Sequence, residues 1–208
     1  MNFLEKRWKA LWQRLELPCP ADHVMERFRQ LYGDRTRAYH NWTHLRECFD
    51  HLDEAVEDGV FFTYGAEECE LALWFHDAIY LPSIDDNELL SARWMREILE
   101  QQSGSKALIS RVSGMILCSQ RHEQLSDDNP DERIFLDIDL AILGAPPNRF
   151  AEYEEAIRAE YFRVPDEIYT QKRREVMRGF CARTPIYFTR YFQTRLEWRA
   201  RKNLVQYS

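Results

Sequence analysis

The sequence predicts an all-α protein with a single domain. Nearly every segment has apolar residues spaced three or four positions apart, which is the repeat of an amphipathic helix. No segment shows the strict alternation of apolar and polar residues between turn dipeptides that is typical of a strand. The 208 residues contain no internal repeat and no long linker, and a chain of this length usually forms one domain.

Four helices are predicted in the first part of the chain. Their expected ranges are Phe3–Leu15, Asp22–Leu31, a segment around Leu45–Leu52, and Ala66–Tyr80. Pro18, Gly33 and Pro82 mark ends of helices, because proline cannot continue a helix and glycine readily adopts the conformation that ends one. A polar stretch from residue 34 to residue 41 precedes the third helix.

The remainder of the chain shows the same helical repeat. The expected ranges are Asp85–Gln102, Lys106–Gln120, Asp131–Leu143, Asn148–Phe162, Asp166–Cys181 and about Tyr187–Asn203. Short segments rich in Gly, Ser, Asp or Pro separate them, at residues 103–105, 126–130 and 144–147. The last helix carries a basic stretch, Arg190–Lys202, whose charges alternate with apolar residues as on a solvated helix face.

Composition excludes several classes of protein. The aromatic content of 13% argues against disorder. The chain contains no run of about 18 apolar residues, the length that a membrane-spanning helix needs. Charged residues occur early, where a signal peptide requires an apolar stretch, so we expect a cytoplasmic protein. A net charge of −7 makes nucleic-acid binding unlikely. The five dispersed cysteines include no CxxC pair, which argues against a disulfide framework and a zinc knuckle.

Histidines and aspartates interrupt apolar helical segments at three places. They are His40 and His44, the adjacent His76 and Asp77, and the closely spaced Asp137 and Asp139. A buried carboxylate is costly unless a cation or hydrogen bonds compensate its charge. A divalent metal held between helices by imidazole and carboxylate ligands would account for both acidic segments.

Helical geometry leaves one choice of ligand open. Asp137 and Asp139 are two positions apart, about 200° of rotation on a helix, so both cannot face the core. Each has apolar neighbours three or four positions away, so periodicity does not distinguish them. Each residue alone also has a simpler interpretation, such as a helix terminus or a solvated acid.

The order His, His-Asp, Asp on successive helices resembles the HD superfamily of metal-dependent phosphohydrolases. The resemblance rests on the motifs Tyr39-His40-Asn41-x-x-His44, Trp74-Phe75-His76-Asp77-Ala78-x-Tyr80, Asn87-Glu88-x-x-Ser91-Ala92 and Asp137-x-Asp139-Leu140-Ala141-x-Leu143-Gly144. They look like one bacterial branch of predicted phosphohydrolases, and the resemblance extends from about Tyr39 to Leu204. It implies a helical bundle over residues 1–208, with the metal-site core at about 39–144 and C-terminal helices at 148–204.

The resemblance also implies a set of metal ligands. By position these are His44, His76, Asp77 and Asp139, because related proteins often carry the ligand at the second Asp of this motif. They would hold one divalent ion, with Mn, Fe, Co, Ni or Zn suited to imidazole ligands and Mg less so. The implied reaction is hydrolysis of a phosphate ester or anhydride of a small, nucleotide-like substrate by metal-activated water.

Candidate catalytic residues follow from the same resemblance. Asp77 would orient the attacking water. Many HD enzymes have a Glu-Asp pair directly after the His-Asp dyad, which is His76-Asp77 in this chain, whereas here Ala78-Ile79-Tyr80 follows. Glu88 therefore becomes the candidate general acid or base, helped by His122 or His40.

The sequence leaves open which arginine and aromatic residues contact the substrate. Arg121 or Arg158 could bind substrate phosphate or form helix-surface ion pairs. Trp42, Tyr39 or Tyr80 could stack on a base or pack in the core.

Two further functions are consistent with this fold family. One is a binding or regulatory module that retains the site without turnover. The other is a di-iron oxygenase, which needs two more histidines between the dyad and the last Asp, where this chain has only His122. The sequence predicts no oligomeric state.

Overall fold

The computed structural model describes residues 3–207, which form ten α-helices and no β-strand. The helices are α1 (Phe3–Arg14), α2 (Asp22–Tyr32), α3 (Trp42–Glu57), α4 (Ala66–Phe75), α5 (Asn87–Gln101), α6 (Lys106–Cys118), α7 (Asp131–Asp139), α8 (Pro147–Glu160), α9 (Asp166–Ala182) and α10 (Arg190–Leu204). Two 3-10 turns follow α7 and α10, at Leu140–Gly144 and Val205–Tyr207. The predicted all-α class is confirmed. Within residues 3–207 no helix is both long and apolar enough to cross a membrane.

Helix α4 is the central element of the fold. It contacts α1, α3, α5, α6 and α7, and every residue from Glu68 to Phe75 is buried. A helix that is buried on all sides must be surrounded by other helices. Its Trp74 ring lies 5.1 Å from Trp8 of α1 and 5.3 Å from Phe28 of α2, measured between centroids. The C-terminal end of α4 therefore lies deep inside the bundle.

Two buried glutamates of α4 have arginine partners. Glu68 accepts two hydrogen bonds from Arg111 of α6, at 2.8 and 2.6 Å. Glu70 pairs with Arg7 at 2.9 Å and also with Arg14, both on α1. Removing one partner from such a pair leaves an uncompensated buried charge, so these contacts fix how α1 and α6 pack on α4.

Side-chain caps begin three of the helices. The Asn41 side chain accepts a hydrogen bond from the Thr43 N–H at 2.8 Å and caps α3. Ser105 caps α6 and Thr189 caps α10 in the same way. Each cap satisfies an N–H group that has no partner within its helix. The cap at Asn41 places His44 in the first turn of α3.

Several helix boundaries differ from the predictions, most clearly those of α4, α7 and α10. Helix α4 ends at Phe75 rather than Tyr80, because Arg37 donates hydrogen bonds to the carbonyls of Asp77 and Ala78 at 2.7 and 2.9 Å. These carbonyls face the guanidinium instead of the next helical turn. Helix α7 ends at Asp139 and continues as a 3-10 turn, whereas the prediction ran to residue 143. Helix α10 begins at Arg190 rather than at residue 187, because acidic side chains accept the N–H groups of residues 186–189.

The basic C-terminal stretch forms an amphipathic helix, as predicted. Helix α10 buries Phe192, Leu196 and Ala200, and it packs on the 3-10 turn Leu140–Gly144. Arg190 and Lys202 are exposed. This helix therefore covers the segment that follows α7.

Replacing Arg37 tests the contact that ends α4. The side chain is only 8% exposed, and Arg37→Met would leave the carbonyls of Asp77 and Ala78 without these donors. We expect the free energy of unfolding to fall by about 2–3 kcal/mol in urea denaturation, because hydrogen bonds to a charged group are lost. The exposed Arg35 is the control, and Arg35→Met should change stability by less than about 0.5 kcal/mol. Equal effects of the two substitutions would contradict this role for Arg37.

Candidate metal centre

Four side chains meet where α3, α4 and α7 converge. Nε2 of His44 lies 3.2 Å from Nε2 of His76, 3.4 Å from Oδ2 of Asp77 and 3.3 Å from Oδ1 of Asp139. Nε2 of His76 lies 3.0 Å from the same Asp77 oxygen and 3.5 Å from the same Asp139 oxygen. The structure thus brings together the four residues that the sequence analysis proposed as ligands.

Three helix ends position this cluster. His44 lies in the first turn of α3, while His76 and Asp77 directly follow the last residue of α4. Asp139 is the last residue of α7. Both histidines are almost fully buried, and Asp77 and Asp139 are partly exposed toward a cavity. The helix ends therefore hold the donor atoms, with one side open to a ligand.

The arrangement fits a divalent metal ion. Donor atoms bound at about 2.0–2.2 Å to one ion lie roughly 3–3.5 Å apart, which matches the distances from each histidine nitrogen to the other and to the two carboxylates. Nδ1 of His76 lies 2.9 Å from the Leu73 carbonyl oxygen. An N–H at Nδ1 would donate to that carbonyl and leave the Nε2 lone pair directed at the cluster. Two imidazoles and two carboxylates suit Mn, Fe, Co, Ni or Zn.

The four groups shift one another's protonation. Burial lowers the pKa of His76, but the charges of Asp77 and Asp139 outweigh burial and raise that pKa well above its ordinary value. Burial raises the pKa values of both carboxyls, yet His76 and the neighbouring imidazoles bring them well below their usual range. The cluster therefore holds two carboxylates that attract positive charge, supplied either by protons or by a metal ion.

Asp137 faces away from the cluster. Its oxygens accept hydrogen bonds from the Phe188 N–H at 2.7 Å, the Thr189 N–H at 2.7 Å and the Thr189 hydroxyl at 2.6 Å. Burial raises the pKa of Asp137 to about 7, although these three hydrogen bonds act to lower it. The choice that periodicity left open is thus resolved geometrically: Asp139 joins the histidines, and Asp137 holds the segment before α10.

His122 and Glu88 lie on the wall of the same cavity. Nε2 of His122 is 3.2 Å from the second oxygen of Asp139, Oδ2. The His122 backbone has φ of 51°, a conformation that few residues other than glycine adopt. Glu88 is half-buried in the first turn of α5. Burial raises the pKa of its carboxyl, the charge of Asp77 raises it further, and His122 opposes the shift.

His40 forms a pair with a glutamate that the sequence analysis did not single out. Nδ1 of His40 lies 2.6 Å from Oε2 of Glu160, the last residue of α8. The other Glu160 oxygen accepts the N–H groups of Tyr39 and His40 at 2.7 and 2.9 Å. The His40 ring stacks on Tyr80 with 3.9 Å between centroids. Glu160 lies 120 positions from His40, so only the fold reveals the pair.

A cavity of about 530 Å³ opens onto the cluster. Besides the site residues already described, its wall includes four tyrosines and three arginines, namely Tyr39, Tyr80, Tyr153, Tyr161, Arg121, Arg173 and Arg183. The buried Tyr39 hydroxyl has no hydrogen-bond partner among the described residues. The Tyr39 ring lies 4.7 Å from the His44 ring, between centroids. Unsatisfied buried hydroxyls are rare in folded proteins, and this one belongs to a residue beside the candidate ligand His44.

Two residues considered in the sequence analysis lie elsewhere. Trp42 packs against Tyr32 and Trp74, with centroids 5.2 and 6.3 Å apart, and is partly buried against the core. Arg158 donates to the Tyr161 carbonyl at 2.7 Å and pairs with Asp166, so it forms the predicted surface ion pair.

One cysteine also lies beside the cluster. Sγ of Cys48 is 3.7 Å from both ring nitrogens of His44. Cys48, His44 and Asp139 form a second group whose donor atoms lie within 4.8 Å of one another. Cys48 is one helical turn after His44, which was the signal available in the sequence.

Comparisons with known proteins found no relative. No family model matches the chain, and neither a curated protein nor a solved structure matches it. The functional interpretation therefore depends on the side chains of the site.

Paired substitutions distinguish the roles of Asp137 and Asp139. We expect Asp139→Asn to weaken Mn²⁺ or Zn²⁺ binding by more than about 100-fold. Loss of a residue that only hydrogen-bonds a metal ligand already costs about 10–100-fold in affinity, and Asp139 is itself a candidate ligand. Asp137→Asn should retain the metal but lower stability by about 1–3 kcal/mol, because one amide oxygen cannot replace two carboxylate oxygens toward three donors. Calorimetric titration and urea denaturation measure the two effects. Similar loss of metal in both variants would refute the assignment.

The pH dependence of stability tests the electrostatics of the cluster. Without metal, the lowered pKa values of Asp77 and Asp139 stabilise the fold above about pH 3.8, and this contribution is lost as pH falls. The raised pKa values of His44 and His76 stabilise it below about pH 6.5, and this contribution is lost as pH rises through them.

We therefore expect the metal-free protein to have its highest melting temperature between about pH 4 and 6.5. An added metal ion should extend that maximum to higher pH, since it takes the place of the imidazole protons. Thermal melts across pH 4–9, in chelator and in Mn²⁺, measure both curves. If stability in chelator keeps rising above pH 7, the proposed coupling is wrong.

Proposed function

We propose that the protein is a metal-dependent phosphohydrolase of the HD type, acting on a small phosphorylated substrate. One observation carries the proposal: Nε2 of His44 and Nε2 of His76 lie 3.2 Å apart, and each lies 3.0–3.5 Å from an oxygen of Asp77 and of Asp139, two residues that line a cavity of about 530 Å³. The ordered motifs that resemble the HD superfamily support the same conclusion. Fold alone does not establish chemistry, so the site residues must account for it.

His44, His76, Asp77 and Asp139 would hold the ion. A bound divalent metal lowers the pKa of a water ligand and polarises a phosphoryl oxygen, which is the chemistry that hydrolysis needs. Asp77 contributes a carboxylate on the cavity side, where it can orient the attacking water. His122 bonds the outer oxygen of Asp139 and restricts its orientation.

Glu88 is the proposed general acid or base. Its carboxyl lines the cavity, and burial together with the charge of Asp77 raises its pKa. Because its pKa is raised, this carboxyl keeps its proton to a higher pH than an ordinary glutamate does. It can therefore donate that proton to a leaving group nearer neutral pH. The His40–Glu160 pair on the same wall gives a second imidazole a fixed orientation.

The cavity wall favours a nucleotide-like substrate. Tyr80, stacked on His40, and Tyr161 offer aromatic rings beside the site, while arginines offer donors to phosphate. The cavity has the size of a small-molecule site. Five unpaired cysteines fit a reducing cytoplasm, which we propose as the location.

Metal reconstitution and a substrate panel test the proposal. We expect the wild-type protein to bind one ion and to release phosphate or a phosphorylated product from at least one nucleoside mono-, di- or triphosphate, cyclic nucleotide or simple phosphoester. His76→Ala and Asp77→Ala should abolish metal binding and turnover. His23→Ala is the matched control, because His23 is exposed and lies outside the cavity, and it should change neither quantity.

Glu88→Gln separates catalysis from metal binding. It should leave metal content unchanged and lower kcat by about 10²–10⁴-fold, the usual contribution of general acid–base catalysis. One bound ion with no turnover of any phosphate would instead indicate a binding or regulatory module. Two irons per chain with an oxygen-dependent reaction would indicate an oxygenase, for which His122 supplies the single extra imidazole.

A further inference from the structure

Arg183 is an arginine of the cavity wall without a full set of partners. Its Nη2 donates to the Arg121 carbonyl at 3.2 Å, and its buried Nη1 has no hydrogen-bond partner among residues 3–207. Its guanidinium lies over the Phe180 ring, 4.9 Å from the centroid. Burial lowers the pKa of Arg183, and the charge of the exposed Glu123 only partly offsets this effect. The charge of Arg183 is therefore weakly compensated.

The other two arginines of the cavity differ from Arg183. Arg173 pairs with Glu154 at 2.5 Å and lies over the Tyr153 ring. Arg121 is exposed to solvent, which satisfies its donors. Arg183 thus combines a partly buried charge with a buried donor that has no partner among residues 3–207. Unsatisfied buried donors are rare in folded proteins and require an explanation.

His122 and Phe180 form a continuous series of contacts from Asp139 of the cluster to Arg183. His122 bonds Asp139 at 3.2 Å, and the His122 and Phe180 rings lie 5.6 Å apart between centroids. The Arg183 guanidinium contacts the same Phe180 ring, 4.9 Å from its centroid, and also lines the cavity. A molecule in the cavity could therefore contact the cluster at one end and Arg183 at the other.

The backbone of Arg183 is held independently of its side chain. Arg201 of α10 donates to the Cys181 carbonyl at 2.6 Å and also to the Arg183 carbonyl. The guanidinium is therefore not required to fix this segment. A guanidinium presents paired donors that match a phosphate better than any other side chain does.

We propose that Arg183 binds a second phosphoryl group of the substrate, so that the protein acts on diphosphates or bisphosphates rather than on simple monoesters. This inference rests on the proposed function, because it places the scissile phosphate at the metal cluster. The second phosphate would take the free Nη1 donor and compensate the guanidinium charge. Recognition at two points also explains why the cavity extends beyond the cluster to Phe180 and Arg183.

Binding of non-hydrolysable phosphonates to the Mn²⁺-loaded protein tests the inference. Methylphosphonate carries one anionic group, and methylenebisphosphonate and propylenebisphosphonate carry two at different spacings. We expect a bisphosphonate to bind wild type more tightly than methylphosphonate does. Arg183→Met should weaken binding of that bisphosphonate by about 10- to 100-fold, the range for loss of a hydrogen bond to a charged group. Arg183→Lys should weaken it less, because it keeps the charge. Methylphosphonate binding should change by less than about twofold, within the range of a neutral surface substitution.

Arg174→Met is the matched control, because Arg174 lies on α9, the helix that Arg183 directly follows, is exposed and is outside the cavity. The same Mn²⁺ concentration in all titrations makes chelation by the ligand equal for every variant. Equal weakening of both ligand types in Arg183→Met, or no weakening of either, would overturn the inference.

The His76→Ala variant distinguishes failure of the inference from failure of the proposed function. If His76→Ala binds bisphosphonate as well as wild type does while Arg183→Met does not, the anion subsite holds and the proposed metal function fails. If His76→Ala loses binding and Arg183→Met does not, the metal function stands and the second subsite is wrong.

Discussion

The structure depends on how buried carboxylates are compensated, and α7 shows this most fully. Asp131 accepts the N–H groups of residues 63 and 64, and Glu132 accepts those of residues 125 and 126. Asp137 accepts N–H groups from the segment before α10. Among residues 3–207, Asp139 has no backbone donor of this kind and faces imidazoles instead. Three acids thus anchor loops, and the fourth lies in the candidate metal site.

Two further charged residues, Arg37 and Glu160, bind the backbone around the cluster. Arg37 is buried and donates to backbone carbonyls, which turns the chain away from helix directly after His76. Glu160, from the far end of the chain, accepts two N–H groups just before α3 and also bonds His40. The positions of His44 and Asp77 are therefore set by residues that do not belong to the cluster. Such supporting contacts keep ligand atoms in place before any ligand binds.

Local periodicity in the sequence predicts the helices, whereas contacts between residues distant in the chain decide where some helices end and which acid joins the cluster. Apolar spacing located all ten helices, and acids within apolar segments indicated the cluster. The end of α4 depends on Arg37, about 40 positions earlier, so no local pattern could predict it. Asp137 and Asp139 have equivalent apolar neighbours, and only the donors at residues 188 and 189 distinguish them. Arg183 and Glu160 carry no local signal, because their roles arise from the cavity and from a pairing across the fold.

The convergence of three helix ends has an electrostatic consequence. The C-terminal ends of α4 and α7 carry partial negative charge from their aligned peptide dipoles, and only α3 directs its positive end at the cluster. Two carboxylates add to that negative potential. Protons on His44 and His76 offset this potential, and above the raised pKa values of these histidines a metal cation must neutralise it before an anionic substrate of the proposed kind could approach. The backbone itself therefore favours an order of assembly in which the cation enters first and the anion second.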